Sequence, residues 1–108
     1  MKYDHVALQV PEGSVEDTVE WYVKNMSASV KYVDSSWGLV SCNGTDIAFV
    51  VPGQHPPHIA FTLDMSEYVY HKDRGKVFKK HRDGSESFYD KDCQGNILEF
   101  LFWPKKNG

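Results

Sequence analysis

Two stretches of this chain read nearly alike. His5-Val6-Ala7-Leu8-Gln9-Val10 and His58-Ile59-Ala60-Phe61-Thr62-Leu63 both run histidine, β-branched, alanine, apolar, polar, apolar, and they begin 53 residues apart in a chain of 108. A second pair, Cys42-Asn43-Gly44-Thr45-Asp46-Ile47-Ala48-Phe49 and Cys93-Gln94-Gly95-Asn96-Ile97-Leu98-Glu99-Phe100, is offset by 51. Two echoes at nearly one period mark a duplicated module of about half the chain. At this length the two copies, about 1–52 and about 57–104, are expected to share one core as a single domain over residues 1–108.

The alternation of residues 3–10 reads as a half-buried strand, with Tyr3, His5, Ala7 and Gln9 on one face and Val6, Leu8 and Val10 on the other. Pro11 and Gly13 end it. Ser14 stands three residues before Asp17, a capping-box-like start, and Val15, Val19, Tyr22, Val23 and Met26 fall at helical spacing, so residues 14–26 read as an amphipathic helix. Strands are expected at about 28–33, 37–42 and 46–51, with turns at Asp34-Ser35-Ser36 and at Asn43-Gly44. Residues 52–57 link the halves. The second half repeats the order: a strand at 58–63, Asp64 and Ser66 as caps, a helix over roughly 65–81 weakened by Gly75, then strands around 85–89 and 96–103 joined by the turn Asp92-Cys93-Gln94-Gly95. The strand directly after this helix is the weakest element of the pattern. Each half is thus βαβββ, and the fold class is α+β.

A net charge of −3 gives no pull toward nucleic acid or an anionic membrane. The basic residues Lys72, Arg74, Lys76, Lys79, Lys80 and Arg82 read as a solvated helix face. No apolar run is long enough to span a bilayer, and the N-terminus enters a strand pattern directly, so the expected location is cytoplasmic. Cys42 and Cys93 precede turn glycines by two residues and read as reduced thiols.

The repeat places His5 and His58 at equivalent points of two strands, and puts Glu99 where the first copy has Ala48. Small residues share the faces of both histidines: Ala7 with His5, Ala60 and Thr62 with His58. Glu99 lies inside Ile97-Leu98-Glu99-Phe100-Leu101-Phe102-Trp103, where a carboxylate is costly to bury unless a cation neutralises it. Two imidazoles and one carboxylate suit Fe(II), Mn, Ni, Co or Zn, and leave coordination positions for substrate or water. No other cofactor site is read.

Two βαβββ halves, a histidine opening each, and a closing Gly95-Asn96-Ile97-Leu98-Glu99 strand together resemble the vicinal oxygen chelate superfamily. That group includes glyoxalase I, fosfomycin-resistance enzymes, extradiol dioxygenases and bleomycin-resistance proteins. The segment from Ser87 to Asn96 is similar to the family's approach to its last ligand, with Cys93 where proline is commoner. The resemblance covers Tyr3 to Trp103. It implies two half-barrels around a central cavity, with His5, His58 and Glu99 as metal ligands. It further implies a divalent-metal-dependent enzyme acting on a small oxygen-rich substrate, either a fosfomycin-resistance-like lyase or transferase or a dioxygenase-like enzyme. The alternative is a metal-free protein of the bleomycin-resistance type that sequesters a small molecule. A four-ligand glyoxalase I site is not matched, because Ala48 stands at the first-module carboxylate position and Asp46 is two residues away. The resemblance also implies a homodimer, with His5 reaching a metal held by His58 and Glu99 of the other copy.

Tyr89 precedes Glu99 by ten residues across one hairpin, which suits a neighbouring strand. The resemblance makes it a catalytic, substrate-touching residue; a half-buried core tyrosine is the other reading. Ser87 shares its face. His81 reads as a helix-end histidine favoured by the dipole, with an acid–base group as the other reading the resemblance offers. His55 and His71 read as exposed, and Trp37 as a core or edge residue ahead of one at the cavity mouth.

Overall fold

The alternating segments become strands and the helically spaced ones become helices, at nearly the expected bounds except at the end of the second helix. The computed structural model describes residues 1–104. Its elements run β1 (Lys2–Gln9), α1 (Val15–Met26), β2 (Ser29–Val33), β3 (Trp37–Cys42) and β4 (Thr45–Val50), then β5 (His58–Thr62), α2 (Met65–Asp73), β6 (Lys79–Lys80), β7 (Glu86–Lys91) and β8 (Ile97–Phe102). The order is βαβββ twice over, an α+β fold. The strands form one mixed eight-stranded sheet in the order β2-β3-β4-β1-β5-β8-β7-β6. By contact, one compact unit spans His5–His58, and the other takes Met1–Asp4 with the chain from Ile59 onward.

Within the first unit β1 lies parallel to β4, with Ala7 opposite Ala48. Hairpins then join β4 to β3 and β3 to β2, both antiparallel, through the turns expected at 43–44 and 34–36. The helix packs its Val19 into a core of Ala28, Val40 and Phe49, with Tyr22 against Phe49. Gly38 permits this approach: a Cβ there would stand 2.8 Å from Val19 Cγ2 and 3.3 Å from Val15 Cγ1. The expected capping box at Ser14 does not form. Its hydroxyl instead donates to the Pro11 carbonyl at 2.6 Å, so the helix start rests on burial of Val15 and Val19. On β1, Ala7 is 1% exposed, whereas Leu8 is 39% exposed. Neither face of that segment is covered along its whole length: Val6 and Val10 are half-buried, and Tyr3 and Gln9 are exposed.

The second unit repeats the pairing, with β5 parallel to β8 and Ala60 opposite Glu99. Antiparallel β7 and a two-residue β6 complete it. Here the capping box is real: Asp64 accepts from the Glu67 amide at 2.8 Å, and Glu67 accepts from the Asp64 amide at 3.0 Å. The helix stops at Asp73 rather than near 81. Gly75, at φ +85°, turns the chain away, and its amide bonds back to the Lys72 carbonyl at 3.0 Å. Tyr68 is its main anchor, stacked on Phe102 at 3.9 Å and donating its hydroxyl to Glu86 at 2.8 Å. Among the described residues no helix is long and apolar enough to cross a membrane, and Cys42 and Cys93 are free thiols.

Candidate metal centre

His5 is the fourth residue of β1, and His58 opens β5. Their rings meet edge to face, with centroids 5.5 Å apart at 73°. His58 is buried, and the Pro56 carbonyl lies 2.7 Å from its Nδ1. A carbonyl oxygen can only accept, so Nδ1 carries the proton and Nε2 keeps its lone pair for ligation.

Glu99 sits at the middle of β8 and is 6% exposed. Register explains its surroundings: on β7, Tyr89 is its direct cross-strand partner and Ser87 lies two residues back on the same face. The Ser87 hydroxyl, itself buried, donates to Glu99 Oε2 at 3.0 Å. His81 Nε2 lies 2.6 Å from that same hydroxyl oxygen. The Tyr89 phenol is also hydrogen-bonded to Glu99; burial first, then the charge of that carboxylate, push its pKa up to about 12.

One ligand atom from each of His5, His58 and Glu99 lies within 4.8 Å of the others. The three residues form a largely buried His-His-Glu triad that could hold a metal. The chemistry of the donors fits as well: two neutral imidazoles and one anion leave a divalent ion with net positive charge and open positions. The His5 and His58 rings of one chain stand in contact.

No protein-family model matches this chain, and no curated protein matches it. Solved structures do. A glyoxalase/bleomycin resistance protein/dioxygenase superfamily member from Vibrio splendidus 12B01 matches with a TM-score of 0.70 at 11% identity, over 94% of this chain and 99% of that one. A variant of methylmalonyl-CoA epimerase from Streptomyces coelicolor, in complex with 2-nitronate-propionyl-CoA, gives a TM-score of 0.64 at 13% identity over 97% and 99%. The chain has a glyoxalase-like fold. A Mn(II)-bound glyoxalase from Novosphingobium aromaticivorans matches at 0.66 and 20% identity, over 94% of this chain but 37% of that longer one.

Within this glyoxalase-like fold, a fourth carboxylate is lacking at the equivalent place in the first module. Ala48 is buried there, and Asp46 is engaged with Lys31 Nζ at 2.7 Å. Two roles read from sequence change, those of His81 and His71, while Trp37 keeps an expected one. His81 lies beyond β6, not at a helix end, and bonds Ser87. His71 is half-buried, packed against Phe88 and Phe100 with ring centroids at 5.2 and 5.6 Å. Trp37 stacks on Tyr32 at 4.6 Å, an edge role; His55 is exposed as expected. The residue most undervalued by the sequence reading is His81. A signal was available: Asp34-Ser35-Ser36 and Asp83-Gly84-Ser85 are one turn repeated, each aspartate Oδ1 accepting both the amide and the hydroxyl of the serine two residues on, at 2.6–2.9 Å. That echo locates the second hairpin and places His81 at its mouth.

Proposed function

We propose that this protein is a divalent-metal-dependent enzyme acting on a small oxygen-rich substrate, with His5, His58 and Glu99 as ligands and Tyr89 as its catalytic residue. The observation that carries the reading is the gathering of two imidazoles with a carboxylate that is 6% exposed in an otherwise apolar strand. A buried carboxylate is costly in an apolar strand, and a divalent ion held by these donors would add to the stabilisation it receives from its protein partners. When bound, a divalent ion of the Fe, Mn, Ni, Co or Zn group acts as a Lewis acid toward substrate oxygen.

The protein's own part is proton placement. In the metal-free protein burial and the Glu99 charge push the Tyr89 pKa up, so the phenol carries its proton and would act as a donor. At 43% exposed it is open to a substrate while its phenol is held beside Glu99. It would steady an oxygen that gains negative charge, whether in a lyase, a transferase or a dioxygenase reaction. The fold's kinship with an epimerase, a glyoxalase and a dioxygenase superfamily member is consistent with chemistry at adjacent oxygens. Each copy carries a full donor set, and the exposed Leu8 and Ile59 support assembly as a homodimer.

The test is a substrate screen over vicinal diols, hydroxy acids and epoxides, under air with Fe(II) and under argon with Mn(II) and a thiol. Turnover that depends on added metal and falls about 10²-fold in Tyr89→Phe, with metal content unchanged, supports the reading. Tight binding of an aromatic or cationic small molecule without metal or turnover would establish instead a sequestering protein.

A further inference from the structure

Behind Glu99 runs a chain of hydrogen bonds whose direction is fixed by elementary chemistry. A carboxylate has no hydrogen to give, so the single hydrogen of Ser87 goes to Glu99 Oε2, at 3.0 Å. The serine oxygen can then only accept from His81, so His81 Nε2 carries a proton, at 2.6 Å. The imidazole is held in place from its own backbone. Its amide donates to the Ser85 carbonyl at 2.8 Å, and its carbonyl accepts from the Gly84 amide at 3.1 Å. Asp83 locks the same turn by accepting the Ser85 amide and hydroxyl at 2.9 and 2.6 Å. Ser85 and Ser87 are both 2% exposed, so water does not readily replace these bonds. This is a complete support built behind one carboxylate.

We propose that Ser87 and His81 are positioning residues that occupy one oxygen of Glu99 and so restrict it to ligating a metal through a single oxygen. The inference rests on the proposed metal site and deepens it: it assigns the denticity of the acidic ligand, and hence the number of positions left for substrate. A two-oxygen carboxylate would consume one more position and leave less room for a chelating substrate. Outer hydrogen bonds of this kind commonly change metal affinity by about 10–100-fold.

The experiment titrates Co(II) into wild type, Ser87→Ala, Ser87→Thr and His81→Phe, following the visible absorption of the bound ion. Nitrogen NMR of the imidazoles in the metal-free proteins accompanies it. In metal-free wild type, His81 should hold its proton on Nε2, a signature lost in Ser87→Ala. Bound Co(II) should absorb strongly in wild type. In Ser87→Ala the carboxylate loses the serine bond and keeps only that of Tyr89, so it can turn to two-oxygen ligation. The coordination number rises and the visible absorption weakens, with affinity about 10-fold lower. Ser87→Thr keeps the hydroxyl and should restore the wild-type spectrum, which a purely structural loss would not predict. His81→Phe should fall between. If wild type binds Co(II) and Ser87→Ala gives the same spectrum and affinity, the positioning role is overturned while the metal site stands. Should wild type bind no Co(II), both fall together, whatever the imidazole tautomer.

Discussion

The two modules share a backbone plan and differ at one decisive register position. In the first, Ala48 stands opposite Ala7 on the parallel neighbour and Leu39 on the antiparallel one. In the second, Glu99 stands opposite Ala60 and Tyr89. The first site is an apolar cluster of Ala7, Ala48 and Val50 with Leu39 against it. The second surrounds a carboxylate with a serine hydroxyl and a phenol. Identical pairing geometry thus serves packing in one copy and chemistry in the other, and the difference lies in a few side chains rather than in the fold.

The helices differ in a complementary way. Helix α1 buries Val15 and Val19 but has no side-chain cap, whereas α2 has a full capping box and buries no residue. Burial of valines secures the first helix, whereas the capping box and the stacking of Tyr68 on Phe102 secure the second. An account of each helix by a single source of stability would fail for one of them.

The comparison can be broken most severely by exchanging the decisive residue. Ala48→Glu places a carboxylate among alanines, valine and leucine, and should cost about 3–5 kcal/mol in denaturant unfolding. A loss below about 1 kcal/mol would show that the first module tolerates the charge and that the supports around Glu99 are not needed. Next in size is Gly38→Ala. Its Cβ would meet Val19 Cγ2 at 2.8 Å, so the helix must shift, at about 1–3 kcal/mol. Smaller again is the capping contrast: Asp64→Ala should cost about 1 kcal/mol and Ser14→Ala well under that, read from paired thermal melts.

The finest distinction is the titration of Tyr89, followed by the ultraviolet absorption of tyrosinate. One phenol should ionise near pH 12 rather than at the ordinary 10.0. Because the folded-state value is raised, the stabilisation is complete below the unfolded pKa and disappears as pH climbs through about 12. Glu99→Gln should lower that value only in part, since burial is the larger cause and remains.

Much of this was legible in the sequence for physical reasons. Strand alternation, the 43–44 turn and the repeated histidine segments report local geometry directly, so element order and the three donors followed from them. Three features did not. Alternation separates the faces of β1 but does not say which residues are covered, and there Ala7 was buried while Leu8 stayed out. The end of α2 was obscured by a basic run with no apolar period, where a single positive-φ glycine decided it. Bonds such as His81 to Ser87 depend on where a turn delivers a side chain, and residue spacing carries that only when the turn itself is recognised. Ser14 illustrates the converse: a capping sequence is an opportunity, and the Pro11 carbonyl took the hydroxyl instead.

The central claim is tested most directly by metal stoichiometry. Elemental analysis and calorimetric titration with Mn(II) and Zn(II) would be run on wild type and on His5→Ala, His58→Ala, Glu99→Ala and the control His55→Ala. The account predicts about one ion per chain in wild type and control, with affinity falling at least about 100-fold in each of the three ligand variants. Retention of full metal by those variants, or no metal in folded wild type under any loading condition, would contradict it.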